Sequence, residues 1–163
     1  MGEFPTPEDA TAYLHDHIPL SKAMGVVVRS ISVDKVELIA PLAPNINHRQ
    51  TVFGGSIASI ATLAAWVYIH FRLQVEVAFS YRVVITKSET DFLHPVAGDF
   101  IAVCPAPDSA DWSRFKKALS SHNKGRVTLS TRIVSENATD MRLADFVGTF
   151  VALKRDDNAV ELS

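Results

Sequence analysis

A run without charged side chains extends from Gly54 to Phe71, and its pattern governs how the rest of the chain is interpreted. Small and apolar residues recur in it at helical spacing: Ile57, Ile60, Ala61, Ala64 and Ala65. A helix that is apolar on nearly all sides is buried on nearly all sides. Its content of Gly, Ala and Ser also makes it thin, so a sheet could wrap around it. The pattern therefore predicts a central core helix.

The same run has about the length of a membrane span, for which roughly 18 apolar residues suffice. The sequence fits a membrane span poorly, because the run starts with two glycines and is interrupted by polar residues: Ser56, Ser59, Thr62 and His70. The flanking sequence has the composition of an ordinary soluble protein. We therefore expect a core helix and no membrane span.

The pattern before this run predicts one helix and one hairpin. Thr6 can cap a helix with Pro7 in its first turn, and the helix should stop before Pro19. Alternating apolar and polar positions predict strands over residues 26–33 and 36–42.

Behind the run, the pattern predicts four strands and a short helix. The strands cover residues 75–89, from 100 to 104, 126–134 and 142–153, and an amphipathic helix covers 111–122. The last strand is apolar on both faces, which indicates a central strand or one covered by a second subunit. The polar tail from Lys154 to Ser163 should be loose. This order predicts an α+β fold, with one antiparallel sheet curled around one helix.

Composition narrows the class of protein. A chain of 163 residues with 47% hydrophobic residues predicts a single domain over 1–163, and a net charge of −2 argues against a nucleic-acid binder. No basic segment precedes an apolar one at the N-terminus, so we expect no secretory signal. The single cysteine, Cys104, excludes an intrachain disulfide and suits a reducing compartment. We expect a cytoplasmic protein in which Cys104 belongs to the core.

Two motifs resemble those of a known fold. The first joins Asn47 to Phe53-Gly54-Gly55-Ser56 and then Thr62, and it is similar to the Asn…His-Gly-Gly…Asp pattern of small hotdog thioesterases. The second runs from Asp91 to Asp99 and is similar to a strand-turn segment common in that fold. Over roughly residues 19–154 the chain resembles the hotdog acyl-CoA thioesterases. Its closest likeness is to the thioesterase domain of the YiiD C-terminal type, which it also resembles in residues 19–25 and Trp66.

The resemblance implies a hotdog fold, in which an antiparallel sheet wraps around one long helix. It implies homodimers, often paired into homotetramers, whose sheets join and whose active sites lie at the subunit interface. The substrate would be an acyl-CoA or acyl-carrier thioester, so coenzyme A is a part of the substrate. The family uses no metal and no other cofactor.

Gly54 and Asn47 are the first candidate catalytic residues. At the start of the helix, the amide of Gly54 can stabilise the charge that develops on the carbonyl oxygen, a contribution of about 3 kcal/mol. Alternatively, the two glycines only permit a tight turn into the helix. Asn47 matches the asparagine that orients water or carbonyl in the family, or it stabilises its own loop. Asn45 is the fallback if the alignment shifts by two residues.

Thr62 is the main departure from the family, because related enzymes have a carboxylate there as base or nucleophile. Phe53 likewise replaces a frequent histidine. A threonine hydroxyl is no base near neutral pH, so the protein recruits another base, positions water more weakly or does not hydrolyse. His48 is the first substitute base, and three acids are others: Glu76, Glu89 and Asp91.

The remaining candidates concern binding. Phe53, Trp66 and Phe92 are predicted walls of an acyl groove, and Gly55 and Ser56 complete the substrate-binding set. A nucleophilic Ser56 would need the strand and βαβ framework of an α/β-hydrolase elbow. Four cations are candidate partners for phosphates: Lys87, Lys124, Arg126 and Arg132. Two hypotheses stay open, a thioesterase and a non-hydrolytic acyl-CoA binding module.

Overall fold

The computed structural model describes residues 2–155. In chain order these form α1 (Pro7–His17), α2 (Pro19–Ala23), β1 (Val27–Ile31), β2 (Lys35–Ala40), a 3₁₀ turn (Ala43–Asn45), α3 (Gly54–Glu76), β3 (Tyr81–Phe92), β4 (Phe100–Pro105), α4 (Ser109–His122), β5 (Lys124–Ser135) and β6 (Ala138–Lys154). The predicted order of one helix, two strands, a long helix and four strands is confirmed.

α3 lies in the core, as its all-round apolar pattern predicts. The helix is long and apolar enough to cross a membrane, yet 61% of its most apolar window is buried inside the protein. Five strands contact it, and its buried side chains include Ile57, Ile60, Ala64 and Tyr68. Small residues let the curved sheet approach the helix closely, and burial of its apolar surface stabilises the fold.

The sheet is antiparallel in every pairing, with the strand order β1-β2-β4-β5-β6-β3. β6 therefore lies inside the sheet, which confirms the interpretation of its two apolar faces. Along β5 and β6, buried residues alternate with outward-facing ones, so one face of the sheet packs on α3. β1 and β3 are the two edges, and β3 pairs only with β6 among the described residues.

The predicted strand over residues 75–89 is wrong at its start. α3 continues through Glu76, and β3 begins only at Tyr81. The helix extends because the carboxylate of Glu76 binds Arg72 one turn earlier, at 2.7 Å, together with two side chains of α4. The tail predicted to be loose lies outside the described residues from residue 156 on.

Local signals determine the other helices. The Thr6 hydroxyl accepts a hydrogen bond from the amide of Asp9 at 3.1 Å, so Thr6 caps α1 as predicted. Asp108 caps α4 in the same way. α4 packs closely on Gly125, where a Cβ atom would lie 2.9 Å from the ring of Phe115 and therefore clash.

Candidate active site

The loop that leads into α3 is held by its own asparagine. The side-chain oxygen of Asn47 accepts hydrogen bonds from the amides of Arg49 (2.8 Å) and Thr51 (3.2 Å). Its side-chain nitrogen donates to the hydroxyl of Thr51 at 2.9 Å. This geometry corresponds to the loop-stabilising role of Asn47. His48 follows it on the exposed tip of the loop.

Asn45, the fallback for Asn47, is almost completely buried and links three segments. Its side-chain nitrogen donates to the carbonyls of Met24 and Pro41, both at 2.8 Å. Its side-chain oxygen is buried and has no partner within residues 2–155. This side chain therefore connects the end of α2, the end of β2 and the loop before α3.

The first turn of α3 lies between two aromatic rings, and we refer to it as the helix tip (residues 53–55). A Cβ atom on Gly55 would lie 2.3 Å from the ring of Phe53, and one on Gly54 would lie 3.4 Å from the ring of Phe92. Both rings are more than half exposed, at 59% and 57%. No side chain caps α3. The amide of Gly54 donates no hydrogen bond within residues 2–155, so it is available to a ligand.

The second motif supports the helix tip. The amide of Val52 donates to the carbonyl of Val96 at 2.8 Å. Val96 is buried in the segment that follows β3, and Asp99 from the same segment accepts from the amide of Leu42 at 2.9 Å. The two motifs of the sequence therefore meet in space around the start of α3.

An apolar groove of about 350 Å³ runs along α3, between the α1–α2 segment on one side and β3 and β6 on the other. Its lining residues are Ile18, Leu20, Ala58, Ser59, Thr62, Leu63, Trp66, Ile85 and Phe150. Ligand pockets have volumes of about 300–1,000 Å³ and are mostly apolar with few polar groups. The hydroxyls of Ser59 and Thr62 are the side-chain polar groups most suited to binding here.

Thr62 faces this groove without an adjacent base. Its hydroxyl donates to the carbonyl of Ala58 at 2.8 Å, which leaves its lone pairs free to accept. The hydroxyl of Ser59 donates to the carbonyl of Gly55 at 2.7 Å in the same manner. None of the lining residues is an acid or a histidine. The groove therefore offers hydroxyls that can hold water, and an apolar wall.

Trp66 is the last residue of α3 that lines this groove. Its indole N–H donates to the carbonyl of Val83 on β3 at 3.1 Å, so the side chain bridges from α3 to the sheet edge. The indole stacks on His70, with ring centroids 4.5 Å apart, and His70 stacks on Tyr13 of α1 at 5.0 Å. Burial, with the nearby charges of His17 and Arg155, lowers the pKa of His70 from 6.5 to about 4. His70 is therefore neutral near pH 7.

The substitute acids lie away from the groove. Burial of Glu76 opposes its charge, but hydrogen bonds from Arg72, Lys116 and Trp112 lower its pKa to about 2. This carboxylate lies at the opposite end of α3 from the helix tip and is fully engaged. Glu89 and Asp91 are exposed on the outer face of β3, opposite to the face that packs on α3.

The candidate phosphate-binding cations also lie on the outer face. Lys124, Arg126 and Arg132 alternate along β5 with buried residues that face α3, and Lys87 pairs across from Thr149 on the same outer side. Within one chain, the structure does not bring them to the groove.

Two alternatives concern other nucleophiles. Ser56 lies in the first turns of α3 after a loop, and every strand pairing is antiparallel, so the framework of a nucleophile elbow is not formed in residues 2–155. Cys104 is completely buried on β4, and burial raises the pKa of its thiol to about 12. This confirms its interpretation as a core residue.

The structure therefore divides the predicted site residues into two groups. Phe53, Gly54 and Gly55 form the helix tip, with Phe92 beside it and Asn47 in the loop before it, whereas Thr62 and Trp66 line the groove. The eight residues from Gly54 to Thr62 correspond to about 12 Å along the helix axis. These two residues of one chain are thus too far apart to act on the same carbonyl group.

Several groove residues were not predicted. Leu20, Ile85 and Phe150 come from segments far apart in the sequence, and only the fold brings them together. Tyr13 and His70 were not predicted as supports of Trp66. A signal for His70 exists, because Ala58, Thr62, Trp66 and His70 are four residues apart and so share one face of α3.

Comparison with protein families gives one match over most of the chain. A family model described as "Putative thioesterase (yiiD_Cterm)" matches residues 8–154.

Solved structures give the same result. A protein of unknown function from Chlorobaculum tepidum TLS is 30% identical, with 91% of this chain and 94% of that chain covered and a TM-score of 0.85. A "putative thioesterase" from Shewanella oneidensis is 26% identical, with 90% and 96% covered and a TM-score of 0.78. A "Probable Thioesterase" from Pseudomonas aeruginosa is 17% identical, with 94% and 100% covered and a TM-score of 0.77, and shows the fold alone. The predicted hotdog fold is confirmed.

Proposed function

The chain belongs to the family described as "Putative thioesterase (yiiD_Cterm)", and from this premise we propose that it hydrolyses an acyl thioester of coenzyme A or of an acyl-carrier protein. The observation that carries the proposal is the apolar groove beside the hydroxyl of Thr62. The acyl group lies in this groove, and its carbonyl lies near the hydroxyl. Coenzyme A or the carrier remains outside, and the reaction needs water and no other cofactor.

The complete site requires two chains. Gly54 and Thr62 of one chain lie about 12 Å apart along α3, so each of them acts on the carbonyl group of a different substrate molecule. β3 supports this arrangement, because its 12 residues form a sheet edge with exposed apolar side chains such as Val84. Such an edge pairs readily with another strand. We therefore place the helix tip of one chain beside the groove of a second, in a homodimer or a dimer of dimers.

In this site the amide of Gly54 stabilises the oxyanion, and the aromatic rings of Phe53 and Phe92 exclude water around it. Gly55 permits the close approach of Phe53, and Ser56 follows in the same turn. Thr62 holds the attacking water. His48, next to the loop-stabilising Asn47, is the proposed general base. Its replacement by Gln should lower kcat for thioester hydrolysis.

The decisive experiment removes one hydrogen-bond donor. Gly54→Pro deletes the amide N–H at the first position of α3, where proline is well tolerated and the extended conformation of Phe53 suits a following proline. Gly54→Ala is the matched control, because it retains the N–H. We expect Gly54→Pro to lower kcat by about 10²–10³-fold in an assay of free thiol release.

The assay uses a panel of short, medium, long and aromatic acyl-CoA substrates. Equal activity of folded Gly54→Pro and Gly54→Ala would remove the oxyanion role. An absence of turnover across the whole panel with the unmodified protein would refute the proposed hydrolysis.

A second candidate function rests on one observation, that among residues 2–155 no acid or histidine lines the groove. The protein would then be a non-hydrolytic acyl-CoA binding module. In that case acyl-CoA raises the midpoint of thermal unfolding, because it binds only the folded state, and no thiol is released.

A further inference from the structure

A second cavity continues the line of the groove. It has a volume of about 270 Å³, and α3 contributes His70, Leu73 and Gln74 to its lining, with Val77 directly after the helix. The groove ends at Trp66, so the two spaces follow each other along one face of the helix. Their α3 linings extend over about 12 Å and about 6 Å of helix axis.

The other walls follow the same order. On β3, Val83 lines the second cavity, and Ile85 lines the groove. On the α1–α2 segment, Tyr13 lines the second cavity, and Ile18 lines the groove. Both spaces therefore lie in the same seam between α3 and β3, beneath the N-terminal helices.

Trp66 lies between the two spaces, because it lines the groove and stacks on His70, which lines the second cavity. Its N–H is bound to the carbonyl of Val83, 3.1 Å away across the seam. On the side of the second cavity its ring is backed by His70, with 12° between the ring planes, and Tyr13 backs His70 in turn. The indole is thus fixed at one end by a hydrogen bond and along its face by stacking, so it does not rotate away easily.

We infer that Trp66 determines the length of the acyl group by closing the groove against the second cavity. This inference deepens the proposed function and depends on it for the identity of the ligand. The end of the acyl chain contacts the indole, and a longer chain is excluded by the fixed ring. Loss of the ring joins the two spaces and admits a chain that extends past Val83 into the second cavity.

The lining of the second cavity supports this direction. Three of its lining side chains, those of Tyr13, Leu73 and Val83, have apolar surfaces that can contact a methylene chain. His70 is neutral near pH 7, so a methylene chain packed against it does not remove water from a charged ring. Its polar lining residues include Gln74, whose side chain bonds to the ring of His70 at 3.0 Å, and Arg155.

The test compares Trp66→Ala and Trp66→Phe with the unmodified protein. Each is given butanoyl-, octanoyl-, dodecanoyl- and hexadecanoyl-CoA for hydrolysis, and the corresponding non-hydrolysable thioethers for calorimetric binding. The measured quantity is the ratio of two kcat/KM values, that of the shortest acyl chain that the unmodified protein excludes and that of the longest chain that it accepts. We expect Trp66→Ala to raise this ratio by about tenfold or more. Trp66→Phe should shift the ratio in the same direction by less, and the Kd values should follow.

Trp112→Phe is the matched control. It alters the other tryptophan of the chain, which lies on the buried face of α4 and lines neither space. We expect it to leave the chain-length profile unchanged. General loss of stability lowers kcat/KM for all chains alike, whereas the inferred role changes the ratio between chains.

The outcomes separate the inference from the proposed function. If folded Trp66→Ala binds the thioethers with the same dependence on acyl-chain length as the unmodified protein, the inference is overturned, whether or not hydrolysis occurs. If Trp66→Ala does not fold, an unchanged profile in Trp66→Phe overturns it. Binding with the expected shift but no turnover refutes hydrolysis and retains the role of Trp66. Failure of the unmodified protein to bind any acyl chain overturns both.

Discussion

The two halves of α3 use polar side chains in opposite ways. From Gly54 to Trp66 the helix carries hydroxyls and no charged residue, and its amide tip and Thr62 face open space. From Tyr68 to Glu76 it carries charges, and each is bound by neighbours. The first half therefore retains hydrogen-bonding capacity for a ligand, whereas the second half uses it to hold the fold together.

Polar side chains of the second half, from Tyr68 to Glu76, form one network, and we refer to this segment as the bound half. Arg72 binds Glu76 at 2.7 Å, lies 4.3 Å above the ring of Trp112 and donates to the hydroxyl of Tyr68. Glu76 also accepts from the indole of Trp112 at 2.9 Å and from Lys116 at 2.8 Å. The hydroxyl of Tyr68 donates to the carbonyl of Val33. This network joins α3 to α4 and to the hairpin between β1 and β2.

The difference shows that a carboxylate on the central helix is not in itself a candidate base. Glu76 is the acid of α3, but its hydrogen bonds keep it ionised and inaccessible to a substrate. Thr62, which lacks any basicity, lies in the groove at the position that we propose for the attacking water. The carboxylate of α3 and the residue that faces the groove are thus two different residues. Placing a carboxylate at residue 62 should therefore have the largest effect.

Thr62→Asp introduces a carboxylate into the first half of α3, from Gly54 to Trp66, which we refer to as the open half. If Thr62 only holds water, a general base at the same place should raise kcat for thioester hydrolysis by about 10²-fold or more. Thr62→Asn is the matched control, since it has nearly the same shape as Asp and no basicity. Steady-state kinetics with the acyl-CoA panel measure the effect. Equal rates for the two variants would show that the groove does not hold the reacting carbonyl.

Glu76→Gln removes a charge from the bound half. We expect the free energy of unfolding to fall by about 2–3 kcal/mol at pH 7, because Arg72 and Lys116 lose a charged acceptor. Kinetic parameters should not change. The control is Glu89→Gln on exposed β3, whose pair with Lys87 at 3.7 Å contributes little. Denaturant unfolding that gave equal losses for both variants would contradict the distinction between the two halves.

The same residue predicts a dependence on acid. The pKa of Glu76 is lowered from 4.5 to about 2, so the folded state favours the ionised form. The resulting stability is present above pH 4.5 and is lost as the pH falls towards 2. Unfolding of Glu76→Gln should lack this part of the pH dependence.

Sequence patterns predicted the open half better than the bound half. The uncharged run and the two motifs located α3, its tip and Thr62, because each signal lies within a short segment. The end of α3 was misjudged, since the alternating apolar residues Val75, Val77 and Phe79 favour a strand by pattern alone. Partners from α4, up to 40 residues later (Glu76 to Lys116), extend the helix instead. The groove likewise needed the fold to join Leu20, Ile85 and Phe150.

His70 lies at the boundary of the two halves and gives a smaller effect. Its pKa is lowered from 6.5 to about 4, so the unfolded chain binds a proton more readily than the folded one. Stability should therefore fall as the pH decreases from 6.5 towards 4 and should be retained above 6.5. His70→Phe keeps an aromatic ring on Trp66 and removes the titration. Thermal unfolding between pH 4 and pH 7 should show a flatter profile for this variant, and an unchanged profile would assign the dependence to other groups.

Phe53→Ala should have the smallest effect on stability and still affect function. The ring of Phe53 is 59% exposed at the helix tip, so its loss should change the free energy of unfolding by no more than about 0.5 kcal/mol. Phe100→Ala is the matched control in the core, where a completely buried ring is lost at a cost of about 3–5 kcal/mol. With the ring gone, water reaches the amide of Gly54, and the weakened oxyanion contact should lower kcat several-fold. Urea unfolding and thiol release are measured on the same samples. If Phe53→Ala loses as much stability as Phe100→Ala, the helix tip is part of the supporting structure, and the open half of α3 begins only at Ala58.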